Sequence, residues 1–137
     1  MDGTITRKEL RHNSTQSLVP VVNVPLYEEA ILYAWGRNDM LTNQKMGIYW
    51  FVADPEGYVT QEYTRWETFW TGPGLAQGFI GPVFQFTKVG KYTTYIKLLM
   101  NYDDPEPVDY YIGDLAIVIA GAVSEFSELK ITKLARV

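Results

Sequence analysis

Apolar and polar residues alternate with a period of two over most of the chain, which is the spacing of a β-strand. The alternation is clearest in residues 29–36 and 91–100. Turn signals separate the alternating runs about every ten residues, and residues 54–57 carry aspartate, proline and glycine where a type I turn favours them. Short strands at this spacing predict an all-β fold, an antiparallel sandwich or barrel of about seven strands.

The same pattern predicts the individual strands. Pro20 and Pro25 suit an edge strand, because proline cannot donate a hydrogen bond to a neighbouring strand. A separate strand is expected to run into the Gly-Pro-Gly loop that ends at residue 74, and Gly113 is expected to mark a bulge in a long final strand. The predicted extended segments are 17–26, 28–36, 47–53, 58–63, 64–74, 81–90, 91–101 and 108–121.

The two ends of the chain differ from the middle. Residues 1–17 are polar, with only Ile5 and Leu10 as isolated apolar positions, and we predict a flexible N-terminal arm that orders only against a partner or not at all. Residues 18–121 are the predicted sandwich. Residues 122–137 are a predicted C-terminal extension whose pattern fits either a strand or a short helix.

Two short signals indicate which sandwich this is. Gly90 and Tyr92 open the alternating run at residue 91, and Trp50 lies within an earlier strand. This opening resembles strand F of immunoglobulin and fibronectin type III domains, and Trp50 resembles the buried tryptophan of strand C. The resemblance implies that the Tyr92 hydroxyl bonds to the backbone of the preceding turn. Thr94 stands where an antibody domain has cysteine, so the resemblance implies a fibronectin-like, bacterial or viral kind; a jelly roll is the alternative fold.

Composition and charge exclude several classes of function. A net charge of −4 and a pI of about 4.9 argue against nucleic-acid binding, which needs a positive face. The chain has no cysteine, so a disulfide scaffold and thiolate metal sites are excluded, and any histidine zinc site or Ser-His-Asp catalysis depends on the single histidine, His12. Neither a signal peptide nor a membrane span is expected from the apolar runs, of which residues 115–123 are the longest. We expect synthesis in the cytoplasm, with an extracellular mature form as the alternative.

Acidic residues gather in two loops, at residues 54–56 and 103–109, and carboxylate oxygens are the ligands that Ca²⁺ prefers. The proposed topology places these loops at opposite ends of the sandwich, so we expect neither a shared metal site nor any other cofactor. Glycoside hydrolysis needs two carboxylates across a cleft. No such cleft is encoded, and we expect the protein not to be an enzyme.

Aromatic residues and two loops supply the best candidates for recognition. Trp66 and Trp70 would share one face of the strand predicted at residues 64–74, either as an exposed platform or as part of the core. The long polar connection over residues 36–47 would lie at the same end as the loop that begins at residue 101. The predicted partner or glycan contacts are Arg37, Asn38, Asp39, Trp66, Trp70, Tyr102, Asp103 and Asp104.

We therefore predict an antiparallel immunoglobulin-like β-sandwich with an N-terminal arm and a C-terminal extension, acting without catalysis. An arm, a tail and edge-available strands are typical of a virion component, such as a head-decoration, capsid or tail-associated protein of a phage. The expected partners are other protein subunits, as a homo-oligomer or a virion shell. The alternative is a carbohydrate-binding or adhesion module that uses exposed aromatics; an enzyme accessory domain is a third possibility.

Overall fold

Ten strands account for most of residues 1–120, the part of the chain that the structure, a computed structural model, describes. They form two five-stranded sheets that pack as a sandwich. Sheet A has the order β2-β1-β4-β7 with β8 also pairing β4, and sheet B has the order β3-β10-β9-β5-β6. The strands are β1 (Gly3–His12), β2 (Thr15–Leu18), β3 (Val21–Pro25), β4 (Glu29–Asn38), β5 (Met46–Ala53), β6 (Val59–Trp66), β7 (Ala76–Ile80), β8 (Phe84–Gln85), β9 (Gly90–Met100) and β10 (Glu106–Ile119).

The alternating positions form the core between the two sheets, as predicted. Leu32 of β4, Ile96 of β9 and Trp50 of β5 are all fully buried. The Trp50 indole N–H donates to Oε1 of Gln61 at 2.9 Å, which satisfies the polar atom that this large side chain brings into the interior. Trp50 therefore occupies the place expected for the buried tryptophan of strand C.

Tyr92 closes the corner before β9, and this prediction is confirmed. Its hydroxyl oxygen accepts hydrogen bonds from the backbone N–H groups of Thr87 and Lys88, each at 3.1 Å. Gly90 has a φ of +132°, and a Cβ there would lie 2.9 Å from Pro55, so glycine is required for the turn. The corner thus matches the immunoglobulin-like pattern.

The β5–β6 hairpin has the predicted turn. The Gly57 N–H donates to the Asp54 carbonyl at 2.9 Å, and Oδ1 of Asp54 accepts from the N–H groups of Glu56 and Tyr58. Lys88 Nζ lies 2.8 Å from Oδ2 of the same aspartate, and its hydrogen bond lowers the Asp54 pKa below the ordinary value. This turn is therefore tied to the corner that Tyr92 closes.

The prediction of a flexible arm over residues 1–17 is wrong. Strand β1 pairs antiparallel with β4 along almost its whole length, and β2 folds back on β1 as a hairpin. Leu10 is fully buried, and Lys8 covers the ring of Tyr111 with its Nζ 4.3 Å from the ring centroid. Backbone pairing with β4, together with the core contacts of Leu10 and Ile5, holds this segment, so the sandwich begins at Gly3 and not at Leu18.

Two other local predictions need correction. The strand expected over residues 64–74 does not exist, because β6 continues through Trp66 and the chain then forms a loop. Gly113 pairs in regular register with Thr94, and the irregularities of β10 lie near Val108 and Leu115 instead. The antiparallel pattern also has one exception, since β3 pairs parallel to β10 as the edge strand that Pro20 and Pro25 had indicated.

Taken together, the strand order is that of an immunoglobulin-like β-sandwich with an added N-terminal hairpin. Within residues 1–120, no helix is long and apolar enough to cross a membrane. The predicted C-terminal extension, residues 122–137, lies outside the described residues.

Candidate functional site

Three loops meet at one end of the sandwich: residues 39–45 before β5, residues 67–75 after β6, and residues 101–105 before β10. Backbone hydrogen bonds in both directions, at 3.0 and 2.8 Å, join Gln44 to Thr71. The three loops therefore form a common surface. The sequence had predicted that two of them, the loop before β5 and the loop before β10, lie at the same end of the sandwich.

A buried glutamate fixes the middle loop. Glu67 is 8% exposed, and its Oε2 accepts from the Met46 N–H at 2.8 Å and from the Thr71 hydroxyl at 2.6 Å. The Glu67 N–H donates to the Met46 carbonyl at 3.0 Å. Because these bonds hold Glu67 to β5 and Thr71 to Glu67, the residues between them have a defined position.

Phe69 and Trp70 project from this fixed loop into solvent. Phe69 is 77% exposed and Trp70 is 63% exposed. Leaving two large aromatic side chains in water forgoes about 1.5–3 kcal/mol each of burial free energy. Because the loop is fixed and both side chains are exposed on it, the loop is a candidate contact surface.

Trp70 lies between two grooves and lines both of them. The first groove has a volume of about 420 Å³ and runs along the side of the sandwich, between the end of β6 and the edge strand β7. The second has a volume of about 230 Å³ and lies toward the loop before β10. The polar side chains that line the first are Arg65, Glu67, Thr68 and Gln77; those that line the second are Gln44, Lys45, Asn101, Tyr102 and Asp103.

Aromatic contacts stiffen the second groove. Trp66 packs over Gly47, where a Cβ would lie 2.6 Å from its ring, and meets Tyr102 edge to face with the ring centroids 5.2 Å apart. Lys45 Nζ lies 4.4 Å from the centroid of the Tyr102 ring. We call Trp70 and the two grooves beside it the Trp70 site. It offers an aromatic face with hydrogen-bond donors and acceptors on both sides.

The structure separates the predicted contact residues into two groups. Trp70, Tyr102 and Asp103 come together at the Trp70 site, and Trp66 lies against Tyr102 without lining either groove. Trp66 and Trp70 do not share a strand face, however, since Trp70 lies beyond the end of β6. Asp104 is exposed and closes a turn through its backbone N–H, which donates to the Asn101 carbonyl at 3.0 Å.

Arg37, Asn38 and Asp39 form the second group, and like Trp66 and Asp104 they line neither groove. Asn38 is fully buried, and its amide donates to the carbonyls of Thr42 and Thr71 at 2.9 and 2.8 Å, so its proposed role in contact is wrong and its role is structural. Arg37 Nε donates a hydrogen bond to Asp39 Oδ1 at 2.5 Å, and the Thr4 hydroxyl donates to Oδ2 of the same carboxylate. Both bonds lower the Asp39 pKa, the one from Arg37 more than the one from Thr4. Arg37 and Asp39 therefore bind each other and β1.

The two acidic loops lie at opposite ends, as predicted. Asp54 follows the end of β5, whereas Asp103 follows the end of β9, and these strands run antiparallel. Within residues 1–120, no three His, Cys, Asp or Glu side chains are grouped so that they could hold a metal ion.

Sequence reasoning missed part of the first groove. Gln77 and Phe79 of β7 line it, but no strand was predicted over Ala76–Ile80. The segment is short and interrupted by Gly78, which hides the alternation. Arg65 and Lys45 were not singled out, because a single cation in a polar stretch carries no signal of its own.

No family model matches the chain, and no curated protein matches it by sequence. Solved structures do resemble the fold. The C-terminal domain of wzt superposes with a TM-score of 0.63 at 9% identity, covering 85% of this chain and 73% of that one. A calcium-binding mutant of β-glucuronidase 2 from Bacteroides uniformis gives a TM-score of 0.59 at 10% identity, covering 81% of this chain but only 13% of the enzyme.

A β-glucuronidase from glycoside hydrolase family 2 gives a TM-score of 0.53 at 10% identity, with 81% of this chain and 11% of that chain covered. The chain thus corresponds to one small part of each of these two enzymes. At such identities the likeness establishes the fold alone, and it agrees with the immunoglobulin-like sandwich read from the strand order.

Proposed function

We propose that the protein is a non-catalytic carbohydrate-binding module that holds a polysaccharide at the Trp70 site. The observation that carries the proposal is Trp70 itself: its indole is 63% exposed on a loop fixed by buried Glu67, and a groove with polar side chains lies on each side. One face of a sugar ring is apolar C–H, and its rim carries hydroxyl groups. An aromatic face flanked by donors and acceptors matches both.

The polar flanks have the chemistry that sugar hydroxyls require. Gln77 and Arg65 supply N–H donors in the first groove, and Asp103 supplies a carboxylate acceptor beside Lys45 in the second. A similar fold occurs within two β-glucuronidases, which are enzymes that act on carbohydrate, and this supports the choice of ligand.

Electrophoresis in native gels containing a soluble polysaccharide tests the proposal. Xylan, galactomannan, lichenan and polygalacturonate are the probes, and at least one should retard the wild-type protein. Trp70→Ala should weaken binding by about tenfold or more, since it removes the stacking surface while leaving the Glu67 anchor intact.

Tyr58→Ala is the matched control. Tyr58 is 67% exposed and lies in the β5–β6 turn, at the opposite end of the sandwich from the Trp70 site. Its loss should leave retardation unchanged. Equal weakening by both substitutions, or no retardation of the wild type in any gel, would contradict carbohydrate binding at Trp70.

An assembly role, as in a virion shell, is a second proposal with a different observation behind it. In residues 1–120, the sheets end at β2, β7, β3 and β6, and an uncovered strand edge can pair with another chain. Light scattering at high protein concentration tests it. A fixed oligomer supports the shell subunit, and a monomer at every concentration argues against it.

A further inference from the structure

Sheet A carries a pair of aromatic side chains on its outer face, separate from the aromatic residues of the Trp70 site. Tyr33 and Trp35 are two residues apart on β4, so they point in the same direction, away from the core. Their rings are 13° from parallel, with the ring centroids 6.0 Å apart. Both side chains are half-buried and so keep part of their surface in solvent.

Gly78 makes room for this pair. It lies opposite Trp35 on the neighbouring strand β7, and a Cβ there would lie 2.7 Å from the indole Nε1. The φ of Gly78 is outside the left-handed region, so the backbone does not require glycine. Glycine at this position therefore leaves space for the Trp35 ring, which lies over the β7 backbone.

The Tyr33–Trp35 pair adjoins the first groove of the Trp70 site. Gly78 and Ile80 line that groove, and the same two residues pair across the strands with Trp35 and Tyr33. Strand β7 is the edge of sheet A in the described part of the chain, so no further strand separates the groove from the outer face of the sheet. A ligand that leaves the groove over Gly78 meets the Trp35 ring next.

Hydrogen-bonding groups border the pair on its other side. Arg7 of β1 lies opposite Trp35, and Glu9 lies opposite Tyr33. Glu9 accepts hydrogen bonds from Arg7 Nε and from Gln16 Nε2, the latter at 2.6 Å, which fixes these polar side chains in place. The arrangement repeats that of the Trp70 site, with aromatic rings beside fixed polar groups.

We propose that Tyr33 and Trp35 form a second subsite for the ligand of the Trp70 site. The ligand is then an internal stretch of polysaccharide long enough to pass from the first groove over β7 to sheet A, and not a single sugar or a chain end. This inference rests on the proposed function. Two subsites joined by one ligand bind a long chain much more tightly than either binds a short one.

Isothermal titration with sugars of different length tests the second subsite. The probes are a disaccharide and a long oligosaccharide made from whichever of xylan, galactomannan, lichenan or polygalacturonate retards the wild type. Trp35→Ala should weaken binding of the long oligosaccharide by about tenfold and leave the disaccharide unaffected, whereas Trp70→Ala should weaken both.

Tyr33→Ala is the second variant, because it removes the other ring of the pair at a residue that lines neither groove, and it decides the case if Trp35→Ala does not fold. It should weaken binding of the long oligosaccharide only. If both variants bind it as the wild type does while Trp70→Ala loses binding, the second subsite is wrong and the proposed function stands. If the wild type binds none of the polysaccharides, both proposals are wrong.

Discussion

At the scale of single residues, the Tyr92 hydroxyl makes the clearest contribution that can be measured. Tyr92→Phe should destabilise the fold by about 0.5–1.5 kcal/mol, because the N–H groups of Thr87 and Lys88 lose their acceptor while the ring stays buried. Urea denaturation measures the difference. Tyr95→Phe is the control, since the Tyr95 hydroxyl has no hydrogen-bond partner among residues 1–120; equal losses in both variants would contradict the corner.

Asp54 gives a pH-dependent prediction at the same scale. Its folded pKa lies below the ordinary value of about 3.9, chiefly because Lys88 donates to it, so its contribution is present above about pH 4 and is lost as the pH falls through the folded pKa. Asp54→Asn should therefore lower the urea midpoint at pH 7 and have a smaller effect at pH 3.

The matched variant is Asp114→Asn, whose half-exposed carboxylate lies 3.8 Å from Lys91 and should matter little at either pH. A midpoint difference for Asp54→Asn that is as large at pH 3 as at pH 7 would show that its charge does not contribute.

At the scale of elements, the sequence predicts strands well where one face is buried. Strands β4, β5 and β9 follow the alternation because every second residue enters the core. Strand β1 was missed because backbone pairing to β4 holds it, with Leu10 as its fully buried apolar residue. The loop after β6 was predicted as a strand because its aromatics mimic alternation, although Phe69 and Trp70 face solvent.

At the scale of the whole molecule, the sequence predicts the corner and the buried tryptophan of the fold, but only half of the candidate site. Trp70, Tyr102 and Asp103 stood out by residue type and loop position. Their proximity to Lys45, Arg65 and Gln77 depends on how three loops and two sheet edges pack together, which the sequence pattern does not show. The buried Glu67 that fixes the position of Trp70 cannot be told from an exposed glutamate by sequence alone.

Carbohydrate binding at the end of the sandwich around Trp70 is the function that we propose. Heteronuclear NMR of the wild-type protein, titrated with an oligosaccharide from the best-binding of the four polysaccharides, tests it most directly. We expect the Trp70 indole N–H signal and the backbone signals of residues 39–45, 67–75 and 101–105 to shift together along one binding curve. Signals that stay in place there while residues around Tyr58 shift, or no shift anywhere at saturating sugar, would contradict it.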